Sequence, residues 1–165
     1  MWYTLIMEVL VNYVQIILSA AKTAKTSALI LLAICTHESK LTNITVFNDG
    51  GSPTYGICGI KYETAQMLGY EGKPEGLLNP KENAKWAANY LRYQQVRYGD
   101  WCKAVAAYNA GKYNESKVAL GLPRNLKYVR NIQKELGENY KNVILCDYDK
   151  EQKKRTVEEI ARRGL

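Results

Sequence analysis

The sequence is poor in several features that usually give a function away. No CxxC pair occurs, because the four cysteines, Cys35, Cys58, Cys102 and Cys146, lie far apart. That spacing excludes a cysteine zinc site. One or two disulfides would suit an oxidising compartment. Cys35 and Cys102 fall within apolar helical runs, however, so the expectation is buried free thiols. There is no internal repeat, no low-complexity block and no domain-scale linker, which leaves a single ordinary domain. No Lys or Arg precedes the apolar stretch 1–20, as a secretory signal would require. Phenylalanine occurs once and histidine once, against thirteen tyrosines. Tyrosine has an apolar face and a polar tip, so it suits the edge of a core and also the stacking of sugars or bases.

What is present is a foldable, basic chain. Of its 165 residues 47% are hydrophobic, enough for a real core and too many for general disorder. The formal charge of +7 suggests an anionic partner: nucleic acid, a membrane, or an acidic polymer such as a cell wall. No basic stripe interleaved with aromatics appears, so a nucleic-acid partner is not expected.

Periodicity gives a mainly helical reading. In 1–20 the polar residues Glu8, Asn12, Gln15 and Ser19, with Lys22 beyond, fall in one stripe of an amphipathic helix. Glu8 interrupts the run too early for a clean membrane span. A signal peptide cut near "SAA" at 19–21 is the alternative for this segment, and residues 1–14 are the least certain part. Thr26 or Ser27 caps a second, nearly all-apolar helix, "ALILLAICTHESK". "LTNITVFNDGGSPTYG" reads as a structured loop, in which Asp-Gly-Gly can also turn between two short strands. A third helix covers "KYETAQMLGY". Asn79 as cap, Pro80 at the first position and Gly99 past the end bound a fourth. Asp100 and Gly111 bound a fifth, "WCKAVAAYNAG", and "RNLKYVRNIQKELG" is the last core helix. The domain is placed at 1–146, and 147–165 is a charged, solvated tail.

Three places can carry chemistry. Glu38 ends a greasy helix, where lost solvation should raise its pKa and let it donate a proton near neutral pH. By position alone it reads as a solvated helix-end glutamate. In "AVAAYNAG", 104–111, small residues allow close helix packing, and Tyr108 and Asn109 come in the last turn before a glycine stop. In "SPTYGICGIK", 52–61, a glycine beside Tyr55 can bring backbone close to a ligand. His37 neighbours Glu38 but points about 100° away on a helix. It is expected to pack at the surface or against a loop. The sequons at Asn43 and Asn114 are discounted as glycosylation sites.

Together these pieces resemble the lytic transglycosylases with a goose-type lysozyme-like fold. Glu38-Ser39 matches that family's "ES", "YGICGI" at 55–60 its "YGLMQI", 107–111 its "AYNAG", and Tyr128-Val129 its late "YV". The resemblance covers roughly residues 15–140. It implies a mainly α, α+β lysozyme-like fold: a helical bundle around a saccharide cleft, with at most a small β-hairpin. It implies that Glu38 is the single catalytic acid and base. Ser39 supports the end of its helix, and Tyr108 orients its carboxylate. Ala107 and Asn109 line the groove. Tyr55, Gly56 and Ile57 form the opposing wall, and Tyr128 approaches from the last helix. Gly59 departs from the family, which usually has Gln there. Loss of that side chain would widen the pocket, and Glu63 is the nearest polar substitute.

Glycosidases generally use two carboxylates. No clear second one is present, since Asp49 is better explained by a turn. The resemblance implies that the substrate supplies the missing group and that no metal or cofactor takes part. The expected product is a 1,6-anhydro end, from peptidoglycan glycan strands in the periplasm or cell wall. Phage virion or secretion-apparatus proteins are the further partners that the resemblance allows. Two rivals remain open: a water-using lysozyme, and a non-catalytic wall-binding or virion structural module on the same fold.

Overall fold

The structure, a computed structural model, describes residues 2–119, 121–137, 146 and 162. The expected tail, 147–165, therefore lies outside the described residues apart from Arg162. The element order is α1 (Trp2–Ala24), α2 (Ala28–Ser39), β1 (Thr45–Asp49), β2 (Ser52–Tyr55), β3 (Ile60–Lys61), α3 (Tyr62–Met67), a 3-10 turn (Pro74–Leu78), α4 (Pro80–Tyr98), α5 (Trp101–Ala110) and α6 (Leu126–Leu136).

Most helix ends fall where side-chain chemistry puts them. The Ser27 hydroxyl accepts from the Ile30 N–H and starts α2. Asn79 accepts from the Lys81 and Glu82 N–H groups, Pro80 opens α4, and Gly99 closes it. Asp100 accepts from the Lys103 N–H at the head of α5. These groups satisfy donors that a helix leaves unpaired. In the segment expected as a loop, the two-strand alternative is the one realised. β1 and β2 pair antiparallel across Gly50-Gly51, and β3 adds a third strand beside β2. The third strand forms because "GIK" returns the chain to β2 after a tight turn.

α4 is the central scaffold. One face of it packs on α1, another on α5, while α2 packs against α1 and α6. The alanines Ala84, Ala87 and Ala88 of α4 and Ala104, Ala106 and Ala107 of α5 are essentially inaccessible. Their small side chains bring the two helices close.

α1 has two characters. Its inner half is amphipathic as expected: Ile17 and Ala21 are buried, and Gln15, Ser19 and Lys22 are exposed. Its outer half exposes Leu5, Ile6, Met7, Val9 and Val11. Thr4–Ala24 is long and apolar enough to cross a membrane, with mean hydropathy 1.6. Glu8 therefore does not disqualify the helix by composition, contrary to the expectation.

Both cysteine pairs are disulfides, Cys35–Cys58 and Cys102–Cys146, which corrects the expectation of free thiols. The core-facing Cys35 meets Cys58 because the loop after β2 folds back onto α2. A separation of 23 residues hides that meeting from a linear reading.

Candidate active site

Glu38 sits in the last turn of α2. The helix stops there because Lys40 and Leu41 both adopt left-handed backbone, with φ of 54° and 56°. Each such residue costs about 1–2 kcal/mol, so the sharp stop is imposed by what surrounds it. The Tyr128 hydroxyl, from α6, donates to Glu38 Oε1 at 2.6 Å. A salt bridge from Lys40 to Glu135, at 2.8 Å, ties the same two helices just beyond. His37 packs edge-on against Tyr128, ring centres 5.4 Å apart. Its partner is therefore the tyrosine that holds Glu38, not a loop. Burial, and then the charge of Lys40, hold its pKa below the ordinary value.

Glu38 opens on a cleft of about 220 Å³, also lined by Thr54, Gly59, Lys61, Thr64, Tyr90, Tyr108 and Asn109. One wall is the loop 55–61. Gly59 takes φ +56°, and a Cβ there would lie 3.0 Å from Glu38 Cβ. A Gln at 59 would thus strain the backbone and crowd the glutamate. The glycine fits the cleft as built and does not simply leave a gap. Glu63, the expected substitute, is exposed and does not line the cleft, whereas Lys61 and Thr64 do.

Strand alternation sorts the rest of this wall. Thr54 pairs with Lys61 across the ladder and both line the cleft; Tyr55 pairs with Ile60, and Tyr55 packs against the core while the buried Ile60 also borders the cleft. Tyr55, Gly56 and Ile57 therefore build the wall from behind and do not face the cleft. Ile57 is fully buried, and Gly56 is pressed against Asn83 and Leu77.

Four ties fix this irregular loop. The disulfide joins it to α2. Ser39, as implied for its helix end, donates to the Ile57 carbonyl at 2.6 Å. Asn83 of α4, fully buried, makes the other two: its Nδ2 donates to the Tyr55 carbonyl at 2.6 Å and its Oδ1 accepts from the Cys58 N–H at 2.8 Å, while Nδ2 also donates to the Leu77 carbonyl of the 3-10 turn at 2.9 Å. Sequence reading missed Asn83. Its only signal was an amide inside an otherwise alanine-rich helical face.

The other wall is the end of α5. Asn109 lines the cleft, and its Oδ1 accepts from Asn125 at 2.9 Å. Ala107 is fully buried, which corrects its expected place in the groove. It is its carbonyl that counts, accepting from Gln94 at 3.4 Å, and Gln94 also donates to the Gly111 carbonyl at 3.2 Å. Tyr108 lines the cleft, and among the described residues its hydroxyl has no hydrogen-bond partner. Burial, and then the nearby charge of Glu38, push its pKa well above the ordinary value.

Comparison with known proteins fits this geometry. The family model for the transglycosylase SLT domain matches residues 15–123. The chain belongs to the SLT transglycosylase domain family. A search of the curated proteins finds no match. Among solved structures, an inactive Glu-to-Gln mutant of the lytic transglycosylase Slt from Pseudomonas aeruginosa is similar with a TM-score of 0.57 and 20% identity. The match covers 73% of this chain and 22% of that one. At that identity it shows the fold: mainly α and lysozyme-like, with a small antiparallel sheet. The SLT domain thus spans about a fifth of its solved relative.

Proposed function

We propose that this SLT domain is a lytic transglycosylase that cleaves the β-1,4 bond between N-acetylmuramic acid and N-acetylglucosamine in peptidoglycan. The observation that carries the reading is the setting of Glu38. Tyr128 holds Oε1 at 2.6 Å, while Oε2 lies on the side of Gly59, at the cleft. A phenol can donate to Oε1 in either protonation state of the carboxyl. Oε2, the oxygen on the cleft side, gives and takes the proton.

In the first half-reaction Glu38 protonates the glycosidic oxygen and the bond from the anomeric carbon to that oxygen breaks. The substrate's N-acetyl group stabilises the cationic carbon, in the manner of substrate-assisted glycosidases. In the second, Glu38 takes the proton of the muramic acid 6-hydroxyl, whose oxygen bonds the anomeric carbon. The 1,6-anhydro ring closes, no water is consumed, and Glu38 regains its proton. Membership of the SLT family and an inactive Glu-to-Gln mutant among structures of this fold support the assignment. The disulfides support an oxidising setting such as the periplasm or cell wall. A virion or secretion apparatus is compatible with it.

The test is mass spectrometry of products from purified peptidoglycan, with Glu38→Gln beside the wild type. Muropeptides lighter by one water are expected from the wild type and none from the variant, whose amide oxygen can still accept from Tyr128. Ordinary reducing ends would make the domain a lysozyme. Normal activity in the variant would remove Glu38 from the mechanism. No release by either folded protein would favour a wall-binding module.

A further inference from the structure

A glycan cleft with a carboxylate at its centre has an electrostatic problem when the glycan is itself anionic. Muramic acid carries a lactyl arm that ends either in a free carboxylate or in a stem peptide with carboxylates of its own. Among the described residues lining the cleft, Glu38 is the acid and Lys61 the base.

Lys61 is built into the site. It is the second residue of β3 and stands directly opposite Thr54 on β2, with both on the cleft side of the sheet. It follows Gly59 and Ile60, so the loop that sets Gly59 against Glu38 also sets the start of Lys61. A Cβ at Gly50 would lie 3.7 Å from Lys61 Nζ, which places the ammonium beside the β1–β2 turn. Lys61 is half-buried, so part of its charge is shielded from bulk screening.

We propose that Lys61 is a specificity-determining residue that binds a carboxylate on the lactyl arm of the muramic acid unit. This rests on the peptidoglycan reading of the cleft. The ammonium offsets the repulsion between Glu38 and an anionic sugar, and it favours muramyl glycans over neutral chains of N-acetylglucosamine. A charge-assisted hydrogen bond of this kind is geometrically tolerant, because an ammonium presents three donors on a flexible stem. It therefore suits an arm that differs in length between stripped and peptide-bearing strands.

The experiment compares wild type, Lys61→Met and Lys61→Arg on three ligands: peptide-bearing glycan, amidase-stripped glycan and a neutral chitooligosaccharide. KM and kcat are measured on the first two, and the Kd of the third by titration. Lys61→Met should raise KM for the anionic glycans about tenfold, the size of one charge-assisted hydrogen bond at a partly exposed site. The change in kcat should be small, the chitooligosaccharide Kd should hold, and Lys61→Arg should recover most of the loss. An effect on peptide-bearing glycan alone assigns the carboxylate to the stem peptide. An effect on stripped glycan alone assigns it to the free lactyl carboxylate, and an equal effect on both shows that the ammonium takes whichever carboxylate the arm carries. An equal loss on all three ligands, or none on any, overturns the proposal. If wild type binds neither glycan nor chitooligosaccharide, the peptidoglycan reading fails with it; binding of chitooligosaccharide without a Lys61 effect overturns this proposal alone.

Discussion

The two walls of the cleft are held by different means. The loop wall has little regular structure of its own, and it is fixed from outside by a disulfide, by Ser39 and by two hydrogen bonds with Asn83. The α5 wall is a helix that already satisfies most of its backbone. It needs only the packing of alanines and the longer bonds from Gln94. The buried non-aromatic polar side chains among the described residues are Thr54, Asn83 and Gln94, and all three belong to these walls. Polar groups are buried where they fix the cleft's shape, since burial without a partner is costly.

Breaking the disulfides should separate stability from activity. In the chain-entropy picture the Cys102–Cys146 bridge, which spans 44 residues, contributes about 4 kcal/mol, and Cys35–Cys58, which spans 23, about 3 kcal/mol. Cys102→Ala with Cys146→Ala is therefore expected to lower the denaturant midpoint more. Cys35→Ala with Cys58→Ala is expected to lower cleavage more, because it frees the loop that sets Gly59 against Glu38. Chemical denaturation beside a turnover assay would check both. If the two orders coincided, the loop would be held without its bridge.

Asn83→Ala tests the same wall without touching sulfur. It strips partners from the Cys58 N–H and from the Tyr55 and Leu77 carbonyls. Its expected cost is about 3 kcal/mol, since each unpaired buried group carries its own penalty. Amide exchange should speed up first at Cys58. A fall in stability that left that amide protected would show that another group had taken over the loop.

Helix ends were legible in the sequence because a cap is a local device. Ser27, Asn79, Pro80, Gly99 and Asp100 act within a turn of where they stand. Glu38, Tyr108 and Asn109 stood out by their place at helix ends and Tyr128 through a resemblance, and the structure brings them together. What escaped the sequence was non-local. Nothing within a few residues of Asn83 says that it will meet a loop 25 residues upstream. Cys35 and Cys58 are paired only by the return of that loop. Ala107 and Tyr55 fell on the wrong side for a subtler reason. A matching motif marks which residues build a site, while helix and strand periodicity decides which of them face it.

That distinction bears hardest on Tyr108. In the loop wall Asn83 and Ser39 are spent on holding the chain in place. On the α5 wall the Tyr108 hydroxyl is buried beside Glu38 with no partner among the described residues. An unmade bond costs about 1–3 kcal/mol, and this hydroxyl lies on the cleft beside Glu38. Tyr108→Phe keeps the ring that packs on Tyr90, centres 5.0 Å apart. Its expected effect on stability near neutral pH is the smallest of these changes, about zero or slightly favourable. Under alkaline conditions the sign is clear. The folded protein holds the Tyr108 proton to a higher pH than the unfolded chain does, so wild type loses stability relative to Tyr108→Phe as pH rises past the ordinary tyrosine range. Turnover should fall about a hundredfold if the hydroxyl finds its partner only in the reacting complex, as removal of a positioned donor does elsewhere. Thermal melts at both pH values and a product assay would decide it. A loss of stability at neutral pH with turnover unchanged would mean that the hydroxyl is part of the frame, and the two walls would then differ in material but not in purpose.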